Sequence, residues 1–406
     1  MRITLLTTYF APEVSSVTHL LSDLAEDLAL QGHQVTVVAN RPNRGLSEGE
    51  RKAYEGRTDE TLPSGVRILR VGPRGIEQGS LIQRGLRFVG NTLALYRAAK
   101  QVPTDAYLIN SMPPYLGLAG AALSKKAKTC FIYQDIFPDS ILAMGKLKEN
   151  SPVTRVFRWM ESVTRKRNHH FITISRDMKQ TLMGYGIPEK RITVIPNWAD
   201  VKGEAIPRES NPLVGELNLD PAGFYAVYGG ALGYLQTPEL LLEAAKLLEG
   251  ENSPIRILIF GSGGLENRLK ERIANEGIIN VSLFPSQPVT KAHLVYALGD
   301  LCLVPLKKGL TSIAMPSKTW SAMGAGRPVL AAAEGGSAFY EQVQGAGGLT
   351  FAPEDAESLK NALCAAYENR EALPALGRRA QSYIKTNLSR KASTDAYGKV
   401  LEELAK

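Results

Sequence analysis

The chain has 406 residues, a formal net charge of +8, and 44% apolar against 22% charged residues. That length suits two or three domains with sizeable cores, and the composition excludes a disordered or fibrous protein. Its three cysteines, Cys130, Cys302 and Cys364, form no C-x-x-C pair, so buried thiols in a reducing cytosol are expected, not a disulfide framework or a cysteine metal site. The opening reads as a strand and not as a leader, because Pro12-Glu13 closes a short apolar run. No apolar run approaches the roughly 20 residues of a membrane span. The positive balance favours an anionic partner, either a phosphate-bearing ligand or a lipid surface, and nucleic acid is not expected.

Short β-rich runs alternate with helical patterns, which predicts parallel sheets flanked by helices. The first strand falls at residues 3–7. Val17, Leu20, Leu21, Leu24 and Leu28 then share one helical face, Gly32 ends that helix, and residues 34–39 form the next strand. Further strands are expected at 66–71, 106–110, 129–133, 171–174 and 192–195. Residues 198–216 hold Pro207 and Pro212 with little periodicity and read as a linker. The alternation restarts with strands at 224–228, 255–260, 281–284, 301–304 and 328–332, and the pattern is helical from 356 onward. The domains are therefore placed at 1–200 and 216–380, joined by 201–215, with a terminal helical segment at 381–406.

Three βα junctions stand out. The first runs from Ala11 through Glu13 to Ser16, where small residues let backbone N–H groups approach a phosphate at a helix start; an ordinary serine-capped helix is the alternative. The second is Gly261-Ser262-Gly263-Gly264, a weak signal because tight βα turns need glycine anyway. The third is Ala314-Met315-Pro316-Ser317-Lys318, in which Pro316 suits a first helical turn. Free N–H groups there and the Lys318 ammonium make a diphosphate cradle, against the alternative of a solvent-facing lysine. In the first half, Asp135 follows a strand, where parallel-sheet sites place polar groups; it would accept a proton or hold acceptor hydroxyls, or merely cap a helix. Pro196-Asn197-Trp198 is another strand end. The five histidines lack metal-ligand spacing, and there is no D-x-D to hold a nucleotide through a metal. Residues 81–100 and 155–167 interleave apolar with basic side chains, including Arg84, Arg87, Arg97 and Lys100. Such helices lie on an anionic interface or pack on their own sheet with a solvated face.

Taken in order, these pieces resemble retaining glycosyltransferases of family 4 over nearly the whole chain. The pieces are Tyr-Phe-Ala-Pro-Glu-Val, Ile-Thr-Val-Ile-Pro-Asn, Gly230 in Tyr-Gly-Gly-Ala-Leu-Gly, Ile-Phe-Gly-Ser-Gly and Gly-Arg-Pro-Val. Gln-Asp-Ile-Phe-Pro-Asp-Ser and Met-Pro-Ser-Lys resemble a bacterial subgroup with L-fucosamine-type transferases of surface polysaccharides. The resemblance implies an α/β fold of two facing Rossmann-like domains, named GT-B. The donor would sit on the second domain and the acceptor on the first, with the last helix crossing back to the first. It also implies a hexosyl- or N-acetylhexosaminyltransferase that retains configuration and needs no metal or other cofactor. The partners would be a nucleotide-diphosphate sugar and a glycan or polyprenyl-diphosphate-linked acceptor, in the cytoplasm or peripheral on the inner face of the cell membrane. The family's charged positions are occupied here by Ala231, Gln236, Ile313, Ser321 and Gln134. Lys318 is the expected replacement for the missing positive charge. Two other functions stay open: a sugar-nucleotide binder without turnover, and a nucleotide-sugar 2-epimerase on the same architecture. The expected site comprises Asp135 and Lys318 for chemistry. Glu13, Ser16, Asn197, Gly230, Gly261, Ser262 and residues Ala314 to Ser317 would bind substrate.

Overall fold

The computed structural model describes residues 1–13, 17–42, 46–54, 56–72, 81–199, 201 and 203–406, without the side chains of 81–86 and 289. In chain order the first half runs β1 (Arg2–Leu6), α1 (Thr18–Leu30), β2 (Gln34–Asn40), α2 (Glu48–Ala53), β3 (Asp59–Thr61) and β4 (Arg67–Val71). It continues with α3 (Leu81–Gln101), β5 (Ala106–Asn110), α4 (Leu116–Leu123), β6 (Lys128–Tyr133), α5 (Asp139–Ala143), α6 (Pro152–Arg167), β7 (His170–Thr173), α7 (Arg176–Gly184) and β8 (Ile192–Val194). The second half runs α8 (Pro212–Glu216), β9 (Phe224–Gly229), α9 (Glu239–Gly250), β10 (Ile255–Phe260), α10 (Glu266–Glu276), β11 (Val281–Phe284), α11 (Ala292–Ala297) and β12 (Leu301–Val304). It ends with α12 (Ser317–Gly324), β13 (Val329–Ala332), α13 (Ala338–Gly345), β14 (Leu349–Phe351), α14 (Ala356–Glu368), α15 (Leu373–Asn387) and α16 (Arg390–Ala405).

Two compact units result: residues 1–197 with 390–406, and residues 198–389. Residues 201–215, read from sequence as a linker, group with the second unit and already contain the start of α8. The first unit holds an eight-stranded sheet in the order β3-β4-β2-β1-β5-β6-β7-β8, parallel except for β3 against β4. The short edge strand β3 and the helix α2 escape sequence reading because they bury almost nothing. Central strands β5 and β6 are buried nearly throughout, which is why they read as continuous apolar runs without alternation. Helix α3 packs on α4, and α4 on α6. The last helix, α16, packs on α1, β5 and β6 of the first unit. Arg390 fixes its start by ion pairs to Asp23 (2.8 Å) and Asp27 (2.6 Å) on α1.

The second unit holds a six-stranded parallel sheet in the order β11-β10-β9-β12-β13-β14. In both units the strand order reverses once, beside β1 and β5 in the first and beside β9 and β12 in the second. The carboxyl ends of the strands at such a reversal leave a crevice between diverging loops, where α/β sheets bind ligands.

Candidate functional site

In the second unit, the reversal brings the loop after β9 against the start of α12. Strand β9 ends in Gly229 and Gly230 follows with φ +149°, a backbone conformation that side chains disfavour. A Cβ at Gly230 would stand 2.7 Å from the Lys318 Nζ and 3.0 Å from its Cε. Glycine there therefore leaves room for the lysine. The Lys318 ammonium donates to the Tyr228 hydroxyl at 2.8 Å and lies 4.1 Å from the centre of that ring. Tyr228 in turn donates to the Ala231 carbonyl at 2.6 Å. Burial strips water from the Lys318 ammonium and lowers its pKa to about 7. Burial likewise raises the Tyr228 phenol well above its ordinary value.

Helix α12 begins at Ser317, just after Pro316, with no side-chain cap. Among the described residues, the Ser317 and Lys318 N–H groups have no backbone acceptor, as expected of a first helical turn. Ala314 does not join them: its N–H is donated to the Leu310 carbonyl at 2.9 Å. The cradle expected over 314–318 is thus narrowed to the helix start and the lysine. The glycine cluster also has a local reason. A Cβ on Gly261 would sit 2.2 Å from the Gly230 carbonyl oxygen, and one on Gly263 2.5 Å from that of Leu232. The two loops are laced together by Leu232 N–H to Ser262 O at 2.9 Å. Gly261 and Ser262 therefore shape the loop carrying Gly230, and the Ser262 side chain itself is exposed. Gln236, in the same loop, leaves a buried carbonyl oxygen unbonded.

In the first unit, Asp135 lies just beyond β6. Its carboxyl accepts from the Ser140 hydroxyl at 3.2 Å. Though half-buried by surface area, the carboxyl is deep enough that desolvation raises its pKa, partly offset by the hydroxyls of Ser140 and Ser111. Gln134 and Asn197 exchange amide hydrogen bonds at 2.8 and 3.3 Å, and the Gln134 N–H is held by Ser111 Oγ at 3.1 Å. Asn197 is thus brought to the Asp135 loop. Glu13 is buried in the loop after β1, 3.4 Å from the Phe10 N–H. Ser16 lies outside the described residues. Behind Asp135, the Tyr133 hydroxyl donates to Glu161 on α6, whose carboxyl burial raises to about 7. Tyr228, Ser111 and Glu161 were not singled out from sequence. Tyr228 alone had a signal there, as an aromatic hydroxyl two residues before Gly230.

These sites stand on a recognisable frame. The family described as Glycosyltransferase Family 4 matches residues 17–202, and Glycosyl transferases group 1 matches residues 213–383. The chain is a glycosyltransferase. It is 25% identical over 338 residues to WcaI of Escherichia coli, named for colanic acid biosynthesis, covering 80% of this chain and 81% of that one. It is 26% identical over 211 residues to WbjE of Pseudomonas aeruginosa, a match spanning 52% of each chain, or about half the length of that relative. Among solved structures, sucrose-phosphate synthase from Thermosynechococcus elongatus superposes with a TM-score of 0.78 at 15% identity, over 99% of this chain and 98% of that one. Anabaena HepE in complex with UDP-glucose superposes with a TM-score of 0.73 at 15% identity, over 99% and 100%. The fold of this glycosyltransferase is therefore GT-B, two Rossmann-like domains with the terminal helix returned to the first.

Proposed function

We propose that the protein is a retaining transferase. It moves a hexosyl or N-acetylhexosaminyl group from a nucleotide-diphosphate sugar to a glycan or polyprenyl-diphosphate-linked acceptor in surface polysaccharide synthesis. The observation that carries the donor half is the Lys318–Tyr228–Gly230 arrangement at the start of α12. When the sugar C1 to phosphate bond breaks, negative charge grows on the leaving diphosphate. A lysine and two N–H groups aimed there stabilise the transition state more than the ground state. The acceptor oxygen forms the new bond to C1, and its proton leaves with the departing phosphate. Asp135, with Asn197 and Glu13, serves the acceptor side. No metal ion is needed in this reading, since Lys318 supplies the positive charge. HepE is a relative in fold that binds UDP-glucose, and WcaI carries a colanic acid name; both support the reading.

The lipid half rests on the first unit. Helix α6 exposes Val153, Val156 and Trp159, and α3 exposes Val89 and Leu93 beside Arg97 and Lys100. Among the described residues no helix is long and apolar enough to cross a membrane; the attachment we propose is peripheral, on the cytoplasmic face.

The positions held by Ala231, Gln236, Ile313 and Ser321 favour one competing reading, a binder without turnover. Mass spectrometry of nucleotide sugars retained from a library identifies the donor. Release of its nucleotide only when acceptor is added supports transfer. Tight retention without release against any acceptor would establish the binder instead.

A further inference from the structure

Helix α6 has two working faces. Its outward stripe is Val153, Val156 and Trp159, exposed by 49%, 53% and 60% and spaced three residues apart, so the three stand on one side. The same helix carries Arg155, Arg158, Arg165, Lys166 and Arg167, while its one acidic residue, Glu161, is buried against Tyr133. The exposed surface thus combines an apolar stripe with the exposed cations Arg155, Lys166 and Arg167, Arg158 being paired with Asp139 and Glu149, which fits an anionic bilayer interface and not another neutral protein surface.

The inward face grips the segment that holds Asp135, on both sides of that residue. Tyr133 is bonded to Glu161. Phe137 packs edge-on against Phe157 with ring centres 4.7 Å apart. Asp139 pairs with Arg158 at 2.7 Å and also accepts from the Tyr185 hydroxyl at 2.6 Å. Three residues of α6 that flank exposed Trp159, namely Phe157, Arg158 and Glu161, therefore touch the segment around Asp135 directly, with no intervening element.

Resting on the membrane reading above, we infer that docking of α6 on an anionic bilayer orders the 133–139 segment, so that the acceptor side of the site is set by membrane attachment. A surface that restricts α6 restricts whatever is bonded to its other face. That coupling is physical here because an aromatic contact, an ion pair and a hydrogen bond all join the same two segments. A soluble acceptor offered without a membrane would meet a looser Asp135.

Amide hydrogen exchange on the full chain tests this without knowledge of either substrate. Phosphatidylglycerol–phosphatidylcholine vesicles should slow exchange of the 133–139 amides severalfold, and phosphatidylcholine alone should not. Val156→Ser with Trp159→Ser should lose flotation and slowing together, with exchange in the absence of vesicles unchanged. Phe137→Leu with Asp139→Asn leaves the α6 surface intact. This pair should still float with vesicles, yet lose the slowing. Flotation of the wild type without any slowing at 133–139, or slowing that survives in the Phe137 and Asp139 pair, overturns the inference and leaves the membrane reading standing. Absence of flotation at low salt overturns both.

Discussion

Lys318 Nζ lies 2.8 Å from Tyr228 Oη and above the face of the same ring, a neutral partner for a cation that burial has brought to a pKa of about 7. Among the described residues no carboxylate accounts for that ammonium; the largest influence on it is loss of water. An incoming diphosphate would supply the missing countercharge and raise the pKa again. Binding should therefore take up a proton above neutrality. Affinity for the nucleoside diphosphate of the donor should fall by about tenfold per pH unit above pH about 7, until the pKa of the complex is reached. Calorimetry at pH near 8 in two buffers of different ionisation enthalpy reads the proton directly. A pH-independent affinity between about pH 6 and 9 would remove Lys318 from the phosphate site.

Truncation gives the kinetic counterpart. Lys318→Ala should lower turnover by roughly 10²-fold or more, the size of one preorganised charge contact. Because Tyr228 is the one hydrogen-bond partner of the lysine side chain among the described residues, melting should change little. Wild-type turnover in the folded variant would sink the assignment.

Gly230 tests the same pocket from the other side. Gly230→Ala places a methyl 2.7 Å from Lys318 Nζ at φ +149°. The long lysine gives way more easily than the backbone, so its ammonium should be displaced from Tyr228. Turnover should fall toward the Lys318→Ala value, and the double variant should be no worse than either single one. Additive losses in that cycle would show that the two residues act separately.

Metal independence follows if Lys318 stands in for a metal at the leaving phosphate. Turnover should persist in excess chelator. Complete loss, restored by manganese or magnesium, would reject the mechanism proposed for the second unit.

The sequence carried most of this frame because buried parallel strands and helices repeat strongly: β5, β6, β9 and β10 could hardly be anything else. Lys318 was legible because Pro316 marks a helix start and a lysine follows it. Its partner carried only the faint signal of a hydroxyl two residues before Gly230. Tyr228 reads as one more apolar residue of a buried strand, and only the sheet reversal brings it from 90 positions away to the helix end. The glycines after β10 were legible as a turn, but their cause, the carbonyls of Gly230 and Leu232, belongs to another loop. Glu161 was hidden in a strongly basic helix, where one acid looks like an ordinary surface partner. Its burial against β6 depends on how α6 lies on the sheet, which no local pattern encodes.

That burial gives the last prediction. Desolvation raises the Glu161 carboxyl from 4.5 to about 7, with Asp139 and Asp135 pushing the same way and Arg165 and the Tyr133 hydroxyl opposing. In the unfolded chain the group loses its proton near its ordinary value. Between that value and about 7, the folded protein therefore holds more protons than the unfolded one. Stability falls as pH rises through this window, by the linkage of proton binding to folding. Glu161→Gln keeps a partner for Tyr133 and removes the titration. The wild type should lose melting temperature from about pH 5 to about pH 8, and the variant should lose measurably less over the same range. The two proteins should converge at the acid end, where both side chains are neutral. Differential scanning calorimetry across that range decides it. Parallel curves for the two proteins would mean that Glu161 is ionised in the folded state throughout, and that its contact with Tyr133 is a charged one.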